Sequence, residues 1–252
     1  MKPEVLLSRI RIVLCRPSHP GNIGAAARAM KTMGLTDLRL VMPKQFPDPE
    51  ADTRATGAVD VLEKAKIHTS LSDALAGTVF SIALSARRRD LGPLAGEPRA
   101  MVAHLLQQAV LGEVALVFGN ETKGMSNEEV MLCQATVAIP TNPDFSSLNL
   151  GSAVQVLCYE ARMAAFHGVP PAADTQVTPF ASAPATHDEV EGLYAHLERV
   201  MTETGFFNPR NPGRLMPKIR RLFGRASLER DEVNILRGVL SSVTTPTSHG
   251  KG

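Results

Sequence analysis

Three segments rich in glycine and asparagine contain the residues whose types and spacing could bind a ligand. They are the runs HPGNIGAAAR at 19–28, FGNETKGMS at 118–126 and IPTNPDFSSLNLG at 139–151. Each run follows or joins an apolar segment, and in open α/β sheets ligands bind at the carboxyl ends of the strands, where such loops lie. One loop of this kind is usually only a turn, but the three together, in this order, are a much stronger indication of a functional site.

Familiar nucleotide-binding and hydrolase motifs are absent from the sequence. No GxGxxG follows the first apolar segment, which leaves a dinucleotide site unsupported. Gly119 and Gly124 have the spacing of P-loop glycines, but Met125 stands where the phosphate-binding lysine must be. HExxH and GxSxG do not occur, and no base is identifiable by spacing for a nucleophile at Ser146 or Ser147.

Apolar segments with the pattern of buried strands alternate with segments of helical periodicity. Strands are predicted at 10–14, 37–42, 78–84, 113–118 and 135–139. Helices are predicted at 22–33, 97–110 and 149–167, in part of 51–66, and in a short segment opened by a Ser126–Glu129 capping box. Asn22 is the expected N-cap of the first helix and Gly34 its stop. This alternation predicts an α/β fold with a parallel sheet covered by helices on both faces.

The composition changes after residue 167. Residues 168–185 hold four prolines, five alanines and no lysine or arginine, which is typical of a linker. A capping box at Thr186 and Glu189 then opens a helix that Gly205 ends, and a second helix is predicted at 227–243. We therefore expect four parts: a sheet domain at 1–167, a linker at 168–185, a small helical domain at 186–243 and a disordered tail at 244–252.

A basic segment lies between these two predicted helices. Residues 205–228 contain six cations and no acid, so this segment carries +6, while the rest of a chain of net charge +2 carries −4. The six cations are Arg210, Arg214, Lys218, Arg220, Arg221 and Arg225. A solvated helix face can be this basic, but the segregation of charge favours a contact with RNA phosphates.

The 252-residue chain has the composition of an ordinary globular protein, with 44% hydrophobic and 21% charged residues. Cys15, Cys133 and Cys158 are far apart and show no CxxC spacing, which argues against a zinc site or a disulfide framework and predicts buried, inert thiols. Arg9 and Arg11 interrupt any N-terminal signal segment, and no apolar run is long enough to span a membrane. We therefore expect a soluble, cytoplasmic protein without a metal site.

The three segments, taken together, resemble the motifs of the SPOUT superfamily of RNA methyltransferases, in particular its ribose 2′-O-methyltransferases of tRNA and rRNA. The first segment matches the family's NxGAxxR helix start at Asn22, Gly24, Ala25 and Arg28. The second matches its FGxExxG turn, and the third its IPxxxxxSLNxxxA run. The resemblance covers roughly residues 9–243, and it is strongest to the enzymes that methylate nucleotide 32 in the anticodon loop of tRNA.

This resemblance implies a C-terminal trefoil knot in the sheet domain, the cofactor S-adenosylmethionine (SAM), and a homodimer whose active site takes residues from both subunits. It also implies that the knotted loops hold SAM. The residues implied to bind SAM are Leu84, Ser85, Ala86, Gly119, Ile139, Ser146, Ser147 and Leu148. Ile139 and Leu148 can sandwich an adenine, and Gly119, which has no Cβ, leaves room for close approach of the backbone.

For the reaction itself, the resemblance implies that Arg28 is catalytic and that Asn22 holds the turn and touches the substrate. Glu121 and Asn149 are expected to order the knotted loops; for them and for Asn22, structural support is at least as well founded as a chemical role. A free arginine is a poor base, with a pKa above about 12, which favours clamping of the target phosphate and orientation of the ribose hydroxyl. Direct action of Arg28 as a general base is the alternative.

Three functions remain open from the sequence. The first is methylation of tRNA at nucleotide 32, which gives 2′-O-methylcytidine or 2′-O-methyluridine, by an enzyme whose partners are tRNA and a second copy of itself. The second is 2′-O-methylation of rRNA or of another tRNA position. The third is a non-catalytic RNA-binding module that kept the fold. The intact Arg28, Asn149 and cofactor loop favour an enzyme.

Overall fold

The computed structural model of the protein describes residues 1–85, 92–145, 147–168 and 182–244. The chain divides into two compact units, Met1–Thr175 and Gln176–Gly252. In the described part of the first unit, the strands are β1 (Ile10–Cys15), β2 (Asp37–Val41), β3 (Lys66–His68), β4 (Thr78–Leu84), β5 (Leu94–Gly96), β6 (Glu113–Phe118) and β7 (Ala135–Val137). Its helices are α1 (Pro3–Leu7), α2 (Pro20–Met33), α3 (Pro49–Ala55), α4 (Val59–Glu63), α5 (Leu71–Leu75), α6 (Pro98–Ala109), α7 (Asn127–Met131) and α8 (Leu150–His167).

The strands of the first unit form one sheet in the order β3-β2-β1-β6-β4-β7-β5. Every neighbouring pair is parallel; Ile12 in β1, for example, is paired with Leu38 in β2 and with Leu116 in β6. All six residues of β1 are buried, as expected of a strand covered on both faces. The predicted parallel α/β sheet is therefore confirmed.

Strand lengths differ from the prediction where the backbone turns away from the sheet. The segments at 78–84 and 113–118 are strands over their whole predicted length. The strand predicted at 37–42 ends one residue early because Met42 has a φ of 44°, which is incompatible with an extended strand. The strand predicted at 135–139 ends at Val137. Strands β3 and β5 were not predicted.

Helix α2, which carries the first motif, begins two residues earlier than predicted. His19 is the N-cap and Pro20 occupies the first turn, where its missing N–H costs nothing. The assignment of Asn22 as the N-cap is therefore wrong, and its side chain is available for other contacts. The predicted stop is confirmed, because Gly34 adopts the left-handed conformation with a φ of 87°.

Two glycines allow α2 to pack closely between α3 and α8. A Cβ on Gly24 would overlap the backbone carbonyl of Ala51 in α3. A Cβ on Gly151 in α8 would lie 2.7 Å from the Cβ of Ala25 in α2. The small residues of the first motif thus fix the position of α2, and with it the position of every functional side chain that α2 carries.

Apolar side chains cover both faces of the sheet. The larger cluster packs α2, α6 and α8 on one face, and a smaller one packs α5 and α7 on the other. Cys15 and Cys133 belong to the smaller cluster and Cys158 to the larger one. All three thiols are buried, as predicted, and burial raises their pKa, that of Cys133 to about 12. They are therefore neutral core residues.

The described part of the second unit is helical, with α9 (His187–Glu203), α10 (Leu215–Ala226) and α11 (Arg230–Thr244). Helices α9 and α11 pack around the buried side chains of Leu193 and Val233. Ala183 and Ala185, at the end of the predicted linker, form backbone hydrogen bonds with Arg230 and Leu228 of this unit. Residues 169–181 of the predicted linker and residues 245–252 of the predicted tail lie outside the described residues.

Candidate active site

A pocket of about 320 Å³ opens at the carboxyl ends of β4, β6 and β7. Its volume is at the lower end of the range of about 300–1,000 Å³ for small-molecule sites. Six of the eight residues predicted to bind the cofactor line it: Leu84, Ser85, Gly119, Ile139, Ser147 and Leu148. The other two, Ala86 and Ser146, lie outside the described residues. The second and third motifs therefore meet in one place, as the resemblance implied.

The walls of this pocket combine apolar and polar side chains. Leu84, Ile139 and Leu148 provide apolar side chains that can contact an aromatic ring. Ser85, Thr141 and Ser147 add hydroxyl groups, and strand-end loops add backbone N–H and C=O groups. Such a mixture suits a small molecule that has both apolar and polar parts.

Gly119 lies where the loop after β6 closes on itself. Asn120 and Gly124 exchange backbone hydrogen bonds of 3.2 and 2.8 Å, and Gly124 has a φ of 66°. A Cβ on Gly119 would lie 2.6 Å from the backbone nitrogen of Met125 and would also overlap Gly124. The packing of the loop itself therefore requires a glycine at position 119. The sequence had suggested a different reason for this glycine, namely room for a bound ligand.

Glu121, in the same loop, binds the start of the first motif. Its carboxylate accepts hydrogen bonds from the Ser18 backbone N–H at 2.9 Å, the Ser18 hydroxyl at 2.7 Å and the Asn22 side-chain amide at 3.0 Å. Burial opposes ionisation, but the bonds from Asn22 and Ser18 outweigh it and lower the pKa of Glu121 to about 2. Glu121 is therefore a carboxylate at neutral pH and a fixed acceptor for these donors.

Asn149 extends this hydrogen-bonded chain to the third motif. Its side-chain amide donates to Oδ1 of Asn22 at 2.8 Å, and its Oδ1 accepts from the Gly151 N–H at 2.9 Å, which caps α8. Both ends of the Asn22 side chain are thus engaged within the protein, which favours structural support over contact with a substrate. The side chains of Glu121, Asn22 and Asn149 join all three motifs.

Sequence reasoning missed Ser18 as a member of this network. Ser18 stands just before the first motif, and its partner Glu121 is 103 residues further along the chain. No local pattern marks a serine for such a contact. The only sequence feature that pointed to Ser18 was its position immediately before the first motif.

Arg28, the predicted catalytic residue, does not line this pocket. Its exposed side chain lines a separate open groove between α2 and α3, together with five residues of the α3 region. The five are Pro49, Glu50, Thr53, Arg54 and Thr56. Within one chain, the strand-end pocket and the predicted catalytic arginine therefore occupy two different places in the first unit.

The six predicted RNA-binding cations of the second unit differ in their surroundings. Arg220 forms an ion pair with Glu191, with Nη2 2.7 Å from Oε2, and its guanidinium stacks over the Tyr194 ring at 4.5 Å. The remaining five are exposed: Arg210, Arg214, Lys218, Arg221 and Arg225. The charge of Arg220 is balanced inside the unit, so the available basic surface consists of the other five.

Two further features bear on the kind of site. Among the residues that the structure describes, no helix is both long enough and apolar enough to cross a membrane. The same ranges contain no group of three or more histidine, cysteine, aspartate or glutamate side chains arranged to hold a metal ion.

Comparison with known proteins agrees with this architecture. Residues 9–159 match the model of the SpoU rRNA methylase family, and residues 188–252 match the C-terminal domain of the tRNA methyltransferase TrmJ. The chain is 47% identical to the tRNA (cytidine/uridine/adenosine-2′-O-)-methyltransferase TrmJ of Pseudomonas aeruginosa, over 94% of each protein.

Solved structures give the same result. The crystal structure of TrmJ from Z. mobilis is 32% identical, with a TM-score of 0.79, and the match covers 93% of this chain and 99% of that one. A complex of the SpoU methyltransferase AviRb from Streptomyces viridochromogenes with the cofactor AdoMet is 26% identical, with a TM-score of 0.50, over 62% of this chain and 60% of that one. The chain therefore belongs to the SpoU rRNA methylase family and, within it, to the TrmJ group of tRNA methyltransferases.

Proposed function

We propose that this protein transfers a methyl group from SAM to the ribose 2′-hydroxyl of nucleotide 32 in the anticodon loop of tRNA, forming 2′-O-methylcytidine or 2′-O-methyluridine. The observation that carries the proposal is a strand-end pocket lined by the second and third motifs, to which the hydrogen bonds of Asn22 join the first motif. The chain is also 47% identical to a named tRNA 2′-O-methyltransferase along almost its full length. The position of the nucleotide comes from the resemblance described above.

The pocket residues suit SAM as the cofactor. Leu84, Ile139 and Leu148 would hold the adenine, and the hydroxyls of Ser85 and Ser147 would contact the polar parts. When bound, SAM supplies an electrophilic methyl group on a sulfonium that the 2′-oxygen can attack. The chain's own residues must orient that oxygen and assist the loss of its proton.

Arg28 is the residue that we assign to this task. Its guanidinium clamps the phosphate of the target nucleotide and orients the 2′-hydroxyl, whose proton leaves with the help of that phosphate. The exposure of Arg28 in the single chain favours this role over direct base action, because an exposed guanidinium is accessible to a phosphate. The hydrogen bonds of Asn22 with Glu121 and Asn149 hold α2 in a fixed position beside the pocket.

A homodimer would bring Arg28 and the pocket together. Arg28 faces a different groove from the pocket of its own chain, so a complete site requires a second copy whose Arg28 reaches that pocket. Tyr159 and Phe166 on α8 are 46% and 47% exposed, and they provide apolar surface for such an association. We also infer, from the family, that the segment around α8 is threaded into a trefoil knot and that the protein acts in the cytoplasm.

The second unit would contribute most of the binding affinity for tRNA. We infer that residues 186–243 form a tRNA-binding extension joined to the sheet domain by the linker at 168–185. The exposed cations of α10 support this assignment, because phosphate contacts dominate nucleic-acid affinity and need no particular base sequence.

The test is to incubate the pure protein with SAM and unmodified tRNA and to map ribose methylation by nuclease digestion and mass spectrometry. We expect one modified ribose at nucleotide 32, and none when that nucleotide carries a 2′-deoxyribose. Transcripts with C, U or A at this position measure the base preference, because the Pseudomonas relative's name includes adenosine. Methylation at another position or only of rRNA, or tRNA binding without transfer, would favour one of the alternatives.

An Arg28→Ala variant completes this test. We expect it to bind SAM as the parent protein does but to lose turnover by about 100-fold or more, since the clamp acts on the reacting group. Transfer at the parent rate would show that Arg28 is not catalytic.

A further inference from the structure

The groove between α2 and α3 contains two arginines from different helices. It has a volume of about 560 Å³, and Arg28 of α2 and Arg54 of α3 both line it. Both side chains are exposed, and within the described ranges neither forms an ion pair. Two unpaired guanidinium groups on one concave surface are suited to an anionic ligand.

Two of the residues that line this groove also pack against α2 near its start. A Cβ on Gly21 would lie 2.7 Å from Oε1 of Glu50 and 3.4 Å from Cγ of Arg54. Gly21 immediately precedes Asn22, which belongs to the hydrogen-bonded chain that joins the motifs. Arg28 is seven residues, or about two turns, beyond Gly21 and therefore on the same face of α2. Glu50 and Arg54 thus pack against α2 near its start and line the groove with Arg28 two turns further on.

One residue that lines the groove has an unusual backbone conformation. Thr56, at the end of α3, has a φ of 54° and a ψ of −117°, a conformation that residues with a Cβ rarely adopt. Such strained residues concentrate at functional sites. Thr56 lines the same groove as the two arginines, together with the hydroxyl-bearing Thr53.

We propose that Arg54 binds a backbone phosphate of the substrate RNA adjacent to the phosphate held by Arg28, so that the α2–α3 groove is the path of the RNA backbone beside the acceptor ribose. This inference rests on the proposed function, since it takes the ligand to be tRNA. Guanidinium groups bind phosphate oxygens through paired, charge-assisted hydrogen bonds. Arg54 is then a substrate-binding residue, whereas Arg28 orients the reacting group.

Glu50 provides a test in which the expected effect on tRNA binding has the opposite sign. It is the one acid among the residues that line the groove, and it would repel a phosphate bound there. Neutralising Arg54 should therefore weaken binding of tRNA, whereas neutralising Glu50 should strengthen it. A purely structural role for this pair would not give opposite effects.

The experiment compares Arg54→Gln, Arg54→Lys and Glu50→Gln with the parent protein in steady-state methylation of tRNA. We expect Arg54→Gln to raise KM for tRNA about tenfold, as for the loss of one charged phosphate contact, with kcat within about twofold. Arg54→Lys should recover part of the loss, and Glu50→Gln should lower KM about two- to threefold. Lys64→Gln is the control, because it removes an exposed cation that does not line the groove.

A second measurement separates this inference from the proposed function. The salt dependence of tRNA binding by Arg54→Gln should be flatter than that of the parent by about 0.7–0.9 in log–log slope. If the parent binds tRNA with this Arg54-dependent slope but transfers no methyl group, the proposed function fails and the inference stands. A parent-like KM and slope in Arg54→Gln, or a loss of kcat together with SAM affinity, would overturn the inference.

Discussion

Four exposed cations, one at the N-cap of α10 and three within the helix, lie on one side of it, and their removal should weaken the salt dependence of tRNA binding in a calculable way. Counting about 100° per residue from the helix start, the four lie within an arc of about 60°. They are Arg214, Lys218, Arg221 and Arg225. Each phosphate neutralised contributes about 0.7–0.9 to the slope of log affinity against log salt. Replacing all four with glutamine should therefore flatten the slope by about 3 units.

Arg220 provides a matched control on the same helix. It lies on a different side of α10, paired with Glu191 and stacked over Tyr194, and the two charged side chains are only 22% and 23% exposed. Arg220→Gln should leave the slope unchanged, because the charge is already neutralised by its partner. It should instead lower the free energy of unfolding by about 1–2 kcal/mol, as for a partly buried charged hydrogen bond.

The assay is a titration of tRNA with full-length protein at four or five salt concentrations, with urea unfolding measured on the same variants. A parent-like slope in the fourfold variant would show that these cations do not contact tRNA and that the RNA binds another part of the protein. A slope flattened by Arg220→Gln as much as by the loss of one exposed cation would show that Arg220 itself contacts phosphate and that its pairing with Glu191 does not neutralise it.

Two further predictions concern the first unit. Ile139→Ala should weaken SAM binding about 5- to 30-fold, measured by calorimetry, because apolar contact with the ligand is lost. The control Ile67→Ala, at an exposed position on β3, should bind SAM as the parent does. Equal affinities of Ile139→Ala and the parent would show that Ile139 does not contact the adenine. Glu121 has a lowered pKa, so its ionisation stabilises the fold above pH 4.5, and this contribution is lost as the pH falls to about 2. Urea unfolding should therefore show Glu121→Gln less stable than the parent at pH 7, with the difference shrinking towards pH 2; a pH-independent difference would contradict this cause.

The strands that the sequence predicted are those buried on both faces. Residues 78–84 and 113–118 are mostly apolar because helices cover both sides of the sheet there; Thr78, Ser81 and Glu113 are their polar members. The two strands that were missed, β3 and β5, have three residues each and lie at the sheet's edges, where most of their residues are exposed. Short edge strands need no apolar run, so periodicity does not detect them.

The pocket was predictable to a greater extent than its supporting contacts. Parallel strands bring their carboxyl ends to one edge, so loops after β4, β6 and β7 had to lie near one another. Charge counting, in contrast, treated Arg220 as equal to its five neighbours. Its partner Glu191 lies 29 residues upstream, outside a segment that contains no acid of its own. Pairing across a tertiary contact cannot be seen in the local sequence.

The spacing of the first motif has a physical explanation in the packing of α2, since each of its residues meets a different partner. Asn22 joins the hydrogen-bonded chain to the other motifs, Gly24 admits the backbone of α3, and Ala25 contacts Gly151 of α8. Arg28 is left on the side of the helix that faces the open groove. Because α2 is held on three sides, a shift of one residue in this motif would displace the arginine and break the contacts to the pocket together. The motif therefore couples the position of Arg28 in the groove to the integrity of the strand-end pocket.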